Sequence, residues 1–233
     1  MNIYWIEGDV PFPPARLALP TESGLLAIGG DYSVPRLLAA YRGGIFPWST
    51  FRGHITWHSP DPRFVLLPEN FGIPKSLRRI LKKHPFQITV DKAFGRVISA
   101  CATVPRADGG TWINDRLLKG YTAFHEAGYA HSVEAWQNGT LVGGFYGVSV
   151  YGVFCGESMF TLEPNASKCA FATLAPALFA AGCTMIDCQT HSDHMEHFGA
   201  AFMTREEYLR RLESTAAAGH EINWRELPVQ FDS

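Results

Sequence analysis

The sequence predicts an α+β protein in which helices pack a mixed sheet, preceded by a small N-terminal domain. From Gln87 onward, segments with strand character alternate with helical patterns in the order β-α-α-β-β-β-α-β-α, without an internal repeat. Residues 1–62 differ, because they are rich in Pro, Gly and aromatic residues and contain one clear helical pattern. Hydrophobic residues make up 46% of the 233 positions, so the chain can bury a core without disulfide or metal support.

These patterns predict two domains, residues 1–62 and residues 63–233. The boundary is expected in the Pro-rich segment 59–62. After residue 43, Gly and Pro interrupt the chain too often for long strands, so short strands are expected in the first domain.

The helix of the first domain has clear start and stop signals. Ser33 is a typical N-cap residue, and Pro35 lies in the first turn. Leu37 and Leu38 are expected to face the core, and Gly43 ends the helix.

The larger domain is predicted to combine strands of four to ten residues with helices of ten to sixteen residues. Its strands are predicted at residues 87–90, 131–136, 141–150, 153–160 and 185–189. Its helices are predicted at residues 74–83, 91–101, 115–127, 166–181 and 205–217.

Local signals support several of these boundaries. Asn138-Gly139 is typical of a tight hairpin, and Asn114 is a typical helix cap. Thr204 and Glu207 predict a capping box for the last helix, whereas Pro176 predicts a kink in the preceding one.

Charge and targeting signals narrow the class of protein. The chain carries 20 Lys and Arg against 22 Asp and Glu, and charged residues are 18%. This composition excludes a disordered chain and argues against a strongly basic nucleic-acid binder. We expect no secretory leader, no membrane span and a cytoplasmic location. Five cysteines without CxxC spacing fit a reducing compartment.

The near-neutral net charge hides a local cluster of basic residues. Five cations and no acid occur in nine residues of one predicted helix, and their spacing places them on one side. One interpretation is a solvated helix face; the other is a phosphate-binding edge. The basic cluster consists of Lys75, Arg78, Arg79, Lys82 and Lys83.

Two further segments carry polar groups of catalytic type. On a regular strand, Asp187 and Gln189 share a face, and the carboxylate can fix the carboxamide while its carbonyl accepts from an amine. Glu157 lies among aromatic and aliphatic residues and needs a partner or a cationic ligand. Structural roles are the alternatives: Asp187 and Gln189 can form a polar strand end, and Glu157 can form a structural salt bridge.

Three histidines at intervals of three, His191, His194 and His197, suggest a metal site. On a helix this spacing leaves the outer two about 120° apart, so we expect no metal. Two tryptophans, Trp48 and Trp112, lie in predicted loops where they can stack on a base or another ligand.

Several motifs together resemble one family, the leucyl/phenylalanyl-tRNA–protein transferases, from about residue 3 to residue 212. The most specific are FCGESMF at 154–160, NASK at 165–168 and IDCQ at 186–189, in this order. Supporting motifs are YRGGIFPW at 41–48, WHSPDPR at 57–63, GTWI at 110–113, HSVEAW at 131–136 and LVGGFYGV at 141–148.

The resemblance implies a transferase that moves Leu or Phe, less often Met, from aminoacyl-tRNA to proteins with an N-terminal Arg or Lys. The product is marked for N-degron proteolysis. It also implies that residues 63–233 form a GNAT-like acyltransferase domain without a cofactor. The sequence TLEPNASK follows Phe160 in place of the glycine-rich CoA loop of that fold, which fits a donor other than acetyl-CoA.

The family pattern also implies roles for individual residues. Asp187 orients Gln189, whose carbonyl accepts from the attacking amine, and Glu157 attracts the cationic acceptor. Tyr41, Trp48 and Trp112 border the terminal adenosine, and the basic cluster contacts the acceptor stem. The pocket for the amino-acid side chain is implied to consist of Phe145, Phe154, Met159, Leu174, Leu178 and Ile186.

Two alternatives differ in their chemistry. A CoA-dependent small-molecule N-acyltransferase would turn over acetyl-CoA without tRNA. A non-catalytic tRNA-binding adaptor would bind tRNA without transfer, with Asp187 and Gln189 as structural residues.

Overall fold

The computed structural model describes residues 2–104 and 113–229. These residues form two sheets with helices packed around them, which confirms the predicted α+β class. The strands are β1 Tyr4–Ile6, β2 Leu25–Gly29, β3 Phe46–Phe51, β4 His54–His58, β5 Arg63–Leu66, β6 Gln87–Val90, β7 Ala130–Gln137, β8 Thr140–Val150, β9 Val153–Thr161, β10 Met185–Gln189 and β11 Ala201–Met203. The helices are α1 Val34–Arg42, α2 Lys75–Leu81, α3 Phe94–Thr103, α4 Asp115–Glu126, α5 Ala166–Ala180, α6 Asp193–Glu196 and α7 Arg205–Ala218.

The smaller sheet has the strand order β1-β2-β4-β3. Along the chain, its last residue is His58 at the end of β4. Helix α1 follows β2 where the sequence predicts it, between Ser33 and Gly43. The Ser33 side chain makes no cap hydrogen bond; its backbone N–H instead donates to Asp31 Oδ1 at 2.8 Å. Leu37 is fully buried, whereas Leu38 is half-buried.

The larger sheet has the strand order β11-β5-β10-β9-β8-β7-β6. Strands β6 to β9 are antiparallel neighbours, and β10 pairs in parallel with β9 after the crossover through α5. The predicted Asn138-Gly139 turn joins β7 to β8, and both residues have positive φ, 52° and 74°, as a tight hairpin requires. This meander, crossover helix and parallel strand fit the GNAT-like domain that the resemblance implies.

Other sequence signals are only partly realised. Thr204 Oγ1 accepts the N–H of Glu207 at 3.2 Å, but the Glu207 carboxylate pairs with Arg210 and Arg211 instead of completing the capping box. Helix α5 includes Pro176 within its length. Strands β5 and β11 and the short helix α6 were not predicted, because segments of three or four residues give little periodic signal.

Two groups of buried residues form the core. One lies between the sheets, since it contains Leu26 and Trp57 of the smaller sheet together with Val97, Phe124 and Tyr146 of the larger domain. The other packs α5 against the opposite face of the larger sheet. The core therefore connects the sheets across the segment 59–62.

The cysteines are free thiols. Cys101, Cys155, Cys169 and Cys183 are buried, and Cys188 is half-buried. Burial raises the pKa of Cys169 to about 11 and that of Cys183 to about 12. Among the residues described, no helix is both long and apolar enough to cross a membrane.

Candidate active site

A buried ion pair anchors the candidate site. Arg63 on β5 donates to Asp187 on β10 through two parallel hydrogen bonds, Nε to Oδ1 at 2.8 Å and Nη2 to Oδ2 at 2.6 Å. Tyr208 on α7 donates to the same Oδ2 at 2.9 Å, and the guanidinium lies 4.4 Å from the Tyr208 ring. Arg63 and Asp187 are at most 1% exposed, so the pair fixes β5, β10 and α7 relative to one another.

Gln189 leaves the regular strand at a bulge. The register of β10 against β5 shifts between Asp187 and Gln189, and Gln189 has φ of 65°. Asp187 Oδ1 accepts the backbone N–H of Gln189 at 2.9 Å. The expectation that Asp187 holds the side-chain amide of Gln189 is therefore wrong, because the bulge turns the backbone N–H, and not the carboxamide, toward Asp187.

The Gln189 carboxamide is held by Glu157 on β9. Gln189 Nε2 donates to Glu157 Oε1 at 2.7 Å, and Tyr121 donates to Glu157 Oε2 at 3.2 Å. Tyr41 shares a hydrogen bond with Tyr121. Since the amide nitrogen faces Glu157, the carbonyl Oε1 of Gln189 is the end that faces away from this carboxylate.

Burial raises the pKa of Glu157 to about 7, although hydrogen bonds from its neighbours lower it. Burial also raises the pKa of Tyr121 and Tyr41 well above the usual value for a phenol. The tyrosines therefore stay neutral donors around a carboxyl group that titrates near neutral pH.

A mainly apolar cavity of about 170 Å³ lies beside these polar groups, and Glu157 and Asp187 border it. Four of the six residues expected to line the side-chain pocket lie in its wall. They are Phe145, Phe154, Met159 and Ile186. Leu174 and Leu178 are not in this wall; both are fully buried on α5, and their place in the side-chain pocket stays a prediction. The wall also contains Phe171 and Met195, which the sequence analysis missed.

The residues expected around an adenosine occupy different environments. Trp48 is half-buried in β3 and packs 5.1 Å from the His58 ring, so its predicted loop position is wrong. Pro47 fits within β3 because this strand lies at the edge of its sheet, where proline is tolerated. Tyr41 is 2% exposed and reaches the site through Tyr121. Trp112 lies outside the described residues.

The basic cluster lies on α2 and the turn after it. Its five cations, Lys75, Arg78, Arg79, Lys82 and Lys83, are all exposed. Leu77 anchors the helix in the core, and Arg78 Nε donates to the backbone oxygen of Ile73 at 2.8 Å. The exposed surface fits both predicted interpretations, a solvated face and a phosphate-binding edge.

The three histidines have separate surroundings. His194 packs against Phe171 and Phe198, and burial lowers its pKa to about 4. His197 bonds to the backbone oxygen of Asp193. His191, Asp193 and Glu196 are exposed, and one potential ligand atom from each lies within 4.8 Å of the others. Of the described residues, this is the group whose geometry could hold a metal ion.

Three polar partners of the site were not predicted from the sequence. Arg63 ends the WHSPDPR motif but was given no role, and Tyr121 and Tyr208 were read only as parts of helices. Arg63 lies 124 positions before Asp187, and Tyr208 lies 21 positions after it. An unpaired buried carboxylate at Asp187 is the signal that could have prompted a search for a cationic partner.

The family models and two relatives that match this chain carry the same family description. The family model "Leucyl/phenylalanyl-tRNA protein transferase" matches residues 65–213, and the model of its N-terminal domain matches residues 30–61. A leucyl/phenylalanyl-tRNA–protein transferase of Pseudoalteromonas atlantica is 47% identical over 91% of each chain. That of Saccharophagus degradans is 50% identical over 92% of this chain and 88% of its own.

A solved structure, L-PGS from Bacillus licheniformis, is also similar in part. It has 15% sequence identity and a TM-score of 0.38, and the similarity covers 72% of this chain and 54% of that one.

Proposed function

The chain belongs to the leucyl/phenylalanyl-tRNA–protein transferase family, and from this premise we propose how its site transfers an amino acid from tRNA to a protein. The chain is an aminoacyltransferase. The donor is Leu or Phe, less often Met, esterified to tRNA, and the acceptor is the α-amine of a protein that begins with Arg or Lys. The product is a cytoplasmic protein marked for N-degron proteolysis.

The fixed carboxamide of Gln189 carries this proposal. Glu157 holds the amide nitrogen at 2.7 Å, and Asp187 holds the backbone N–H of the same residue at 2.9 Å. The carbonyl Oε1 then accepts an N–H from the attacking α-amine and directs the nitrogen lone pair toward the ester carbon. Orientation is the main requirement, because the aminoacyl ester is already activated.

The reaction exchanges one bond to the acyl carbon for another. The amine nitrogen forms the new amide bond, and the bond to the ribose oxygen breaks. The nitrogen loses one proton and the departing ribose oxygen gains one. An amide is too weak a base to keep this proton, so Gln189 positions the amine while the proton passes to the ribose hydroxyl or through water.

The apolar cavity beside Gln189 is proposed to receive the donor side chain. Its wall offers Phe145, Phe154 and Met159 to an aliphatic or aromatic side chain. Discrimination by one methylene in such a cavity is worth about 1–3 kcal/mol, so one site accepts Leu, Phe and Met with graded efficiency.

Charged and aromatic residues outside the cavity are proposed to bind the rest of the substrates. The basic cluster on α2 contacts phosphates of the acceptor stem, which RNA-binding proteins recognise mainly by shape and charge. Trp48 and Trp112 border the terminal adenosine, whereas the buried Tyr41 acts on the site through Tyr121. When ionised, Glu157 favours a cationic acceptor end in addition to holding Gln189.

The decisive experiment transfers labelled Leu or Phe from charged tRNA to a peptide that begins with Arg. A matched peptide that begins with Asp is the control for the acceptor. Gln189→Ala should reduce the transfer rate about 100-fold or more while tRNA binding stays within twofold. An unchanged rate would refute the role of Gln189. Turnover of acetyl-CoA without tRNA would favour the CoA-dependent alternative.

A further inference from the structure

The segment after α7 returns to the larger sheet and covers part of the core. We call residues 219–229 the C-terminal strap. Ile222, Trp224 and Val229 of the strap are at most 8% exposed. Glu221 accepts the backbone N–H of Tyr151 at 3.1 Å. The strap lies beyond residue 213, where the match to the family model ends.

Trp224 is the large aromatic anchor of this strap. Its ring lies parallel to the His131 ring, with the ring centres 4.0 Å apart. The centre of the Phe154 ring is 5.3 Å away on another side. The indole Nε1 has no hydrogen-bond partner among the described residues, so Trp224 contributes packing and not a polar contact.

His131 is itself held in one orientation. Its Nδ1 bonds to Asp91 Oδ2 at 2.8 Å, and the other oxygen of Asp91 accepts the backbone N–H of Ser132 at 2.9 Å. Trp224 therefore stacks on a ring that the sheet fixes in place, and this places the indole firmly against Phe154.

Phe154 connects the strap to the cavity. It is 1% exposed and lies in the cavity wall, with its ring centre 6.3 Å from that of Phe145. Trp224 is absent from the residues that line the cavity, so it supports Phe154 from behind. In a close-packed interior, a wall residue can retreat only if the residue behind it gives way.

We propose that Trp224 is a positioning residue for donor choice: it holds Phe154 forward and thereby limits the depth of the side-chain cavity. This inference rests on the proposed function, because it assigns the cavity to the donor side chain. Loss of the indole leaves space behind Phe154, and part of that space is transferred to the cavity when the phenyl ring shifts.

The test compares donors in the full-length chain. The kcat/KM for Phe-tRNA is divided by that for Leu-tRNA in the wild type, Trp224→Phe and Trp224→Ala. We expect the ratio to rise three- to tenfold in Trp224→Ala and by less in Trp224→Phe, because the deeper cavity favours the larger side chain. An equal loss for both donors, or an unchanged ratio, would overturn the proposal. Trp224→Phe keeps it testable if Trp224→Ala does not fold.

A matched control separates Trp224 from the strap as a whole. Ile222→Ala removes another buried strap residue and should leave the ratio within twofold. A shift equal to that of Trp224→Ala would overturn the assignment to Trp224.

A binding measurement makes the inference independent of transfer. Phenylalanyl-adenosine and leucyl-adenosine, each with a hydrolysis-stable amide link, are titrated against the same variants. The ratio of their Kd values should shift in the same direction as kcat/KM. If the wild type transfers neither amino acid yet binds both analogues with a ratio that Trp224 controls, the proposed transfer fails, whereas the control of cavity depth by Trp224 is supported.

Discussion

Asp187 is the residue on which the local geometry of the site depends. It accepts two hydrogen bonds from Arg63, one from Tyr208 and one from the backbone of Gln189. Burial lowers the pKa of Arg63, but the charge and hydrogen bonds of Asp187, together with smaller contributions from Tyr208 and Cys155, outweigh this effect, and the pKa of Arg63 ends above its usual value. Removal of either charge leaves the other without compensation in the interior.

Asp187→Asn should therefore destabilise the protein strongly. Breaking a buried ion pair by removing one partner costs about 3–5 kcal/mol, because the guanidinium remains buried without its counter-charge. Urea denaturation of the variant and the wild type measures the loss.

Glu207→Gln is the matched control for this variant. It breaks the ion pairs of Glu207 with Arg210 and Arg211 on the surface of α7, where solvent screens the charges. Its effect should be small. A comparable loss of stability in both variants would contradict the importance assigned to the buried pair.

Glu157 should give the protein a pH-dependent stability. Its pKa is about 7 in the folded protein and 4.5 without perturbation, so the native state binds more protons between these values. The free energy of unfolding should consequently fall as pH rises from about 4.5 to 7, relative to that of Glu157→Gln. Urea denaturation of both proteins at pH 5 and pH 7.5 measures this difference.

Other titrating groups are the same in the wild type and in Glu157→Gln, so their effects cancel in the comparison. Parallel stability curves for the two proteins would show that Glu157 ionises in the folded state as it does in the unfolded chain.

The sequence identified the residues of the site better than their contacts. The sequence points to Asp187 and Gln189 because a carboxylate beside a carboxamide suits the orientation of an amine, and to Glu157 because a carboxylate among apolar residues needs a partner. The bulge at Gln189 could not be predicted, since it depends on pairing with β5, more than 120 positions away. For the same reason the contact between Gln189 and Glu157 was missed, although both residues had been selected.

Among the elements, α2 carries the clearest test of RNA binding. If all five cations of the basic cluster meet phosphates, the log–log slope of tRNA affinity against salt concentration should be roughly −3 to −5. Replacing the five with Gln should remove most of this slope. Filter binding at several salt concentrations measures it.

The control for the basic cluster replaces Arg210 and Arg211 on α7 with Gln. These arginines pair with Glu207, so they contribute less free positive charge. The control should keep the slope of the wild type. A wild-type slope near zero would leave α2 as a solvated helix face.

The predicted bounds of helices and strands agree best with the structure where the local sequence signal is strong. Strand β6 has the bounds that the sequence predicts, and Asn114 caps α4 through its side chain, which accepts the N–H of Leu117 at 3.1 Å. Strands β5 and β11 are short, and each is stabilised by pairing with distant strands. Pairing of this kind leaves no period in the local sequence.

At the scale of the whole molecule, we propose that residues 1–62 and 63–233 are the two domains. They share one core and are also joined by Arg205. This arginine at the start of α7 donates to the backbone oxygens of Ser59, Leu19 and Ala18 at 2.7, 3.2 and 3.1 Å. Composition predicted that the Pro-rich and Gly-rich pattern ends near residue 60. It could not predict that apolar residues before and after this point would pack into one core.

The shared core predicts that both domains unfold in a single transition. Phe124 of the larger part stacks on Tyr41 of the smaller part with ring centres 6.0 Å apart, so loss of residues 1–62 would uncover this part of the shared core. Tryptophan fluorescence and far-UV circular dichroism should give coincident urea curves. Separate midpoints would mean that the interface between the sheets contributes little.

The burial of the native thiols has a practical consequence for measuring RNA binding with a fluorescent label. Only a thiolate reacts rapidly with maleimide dyes, and burial keeps Cys155, Cys169, Cys183 and Cys188 protonated. A cysteine introduced at the exposed Ser76, next to Lys75 of the basic cluster, would react far faster than these thiols. The native cysteines can therefore stay in place while a single fluorophore on α2 reports the arrival and departure of RNA in real time.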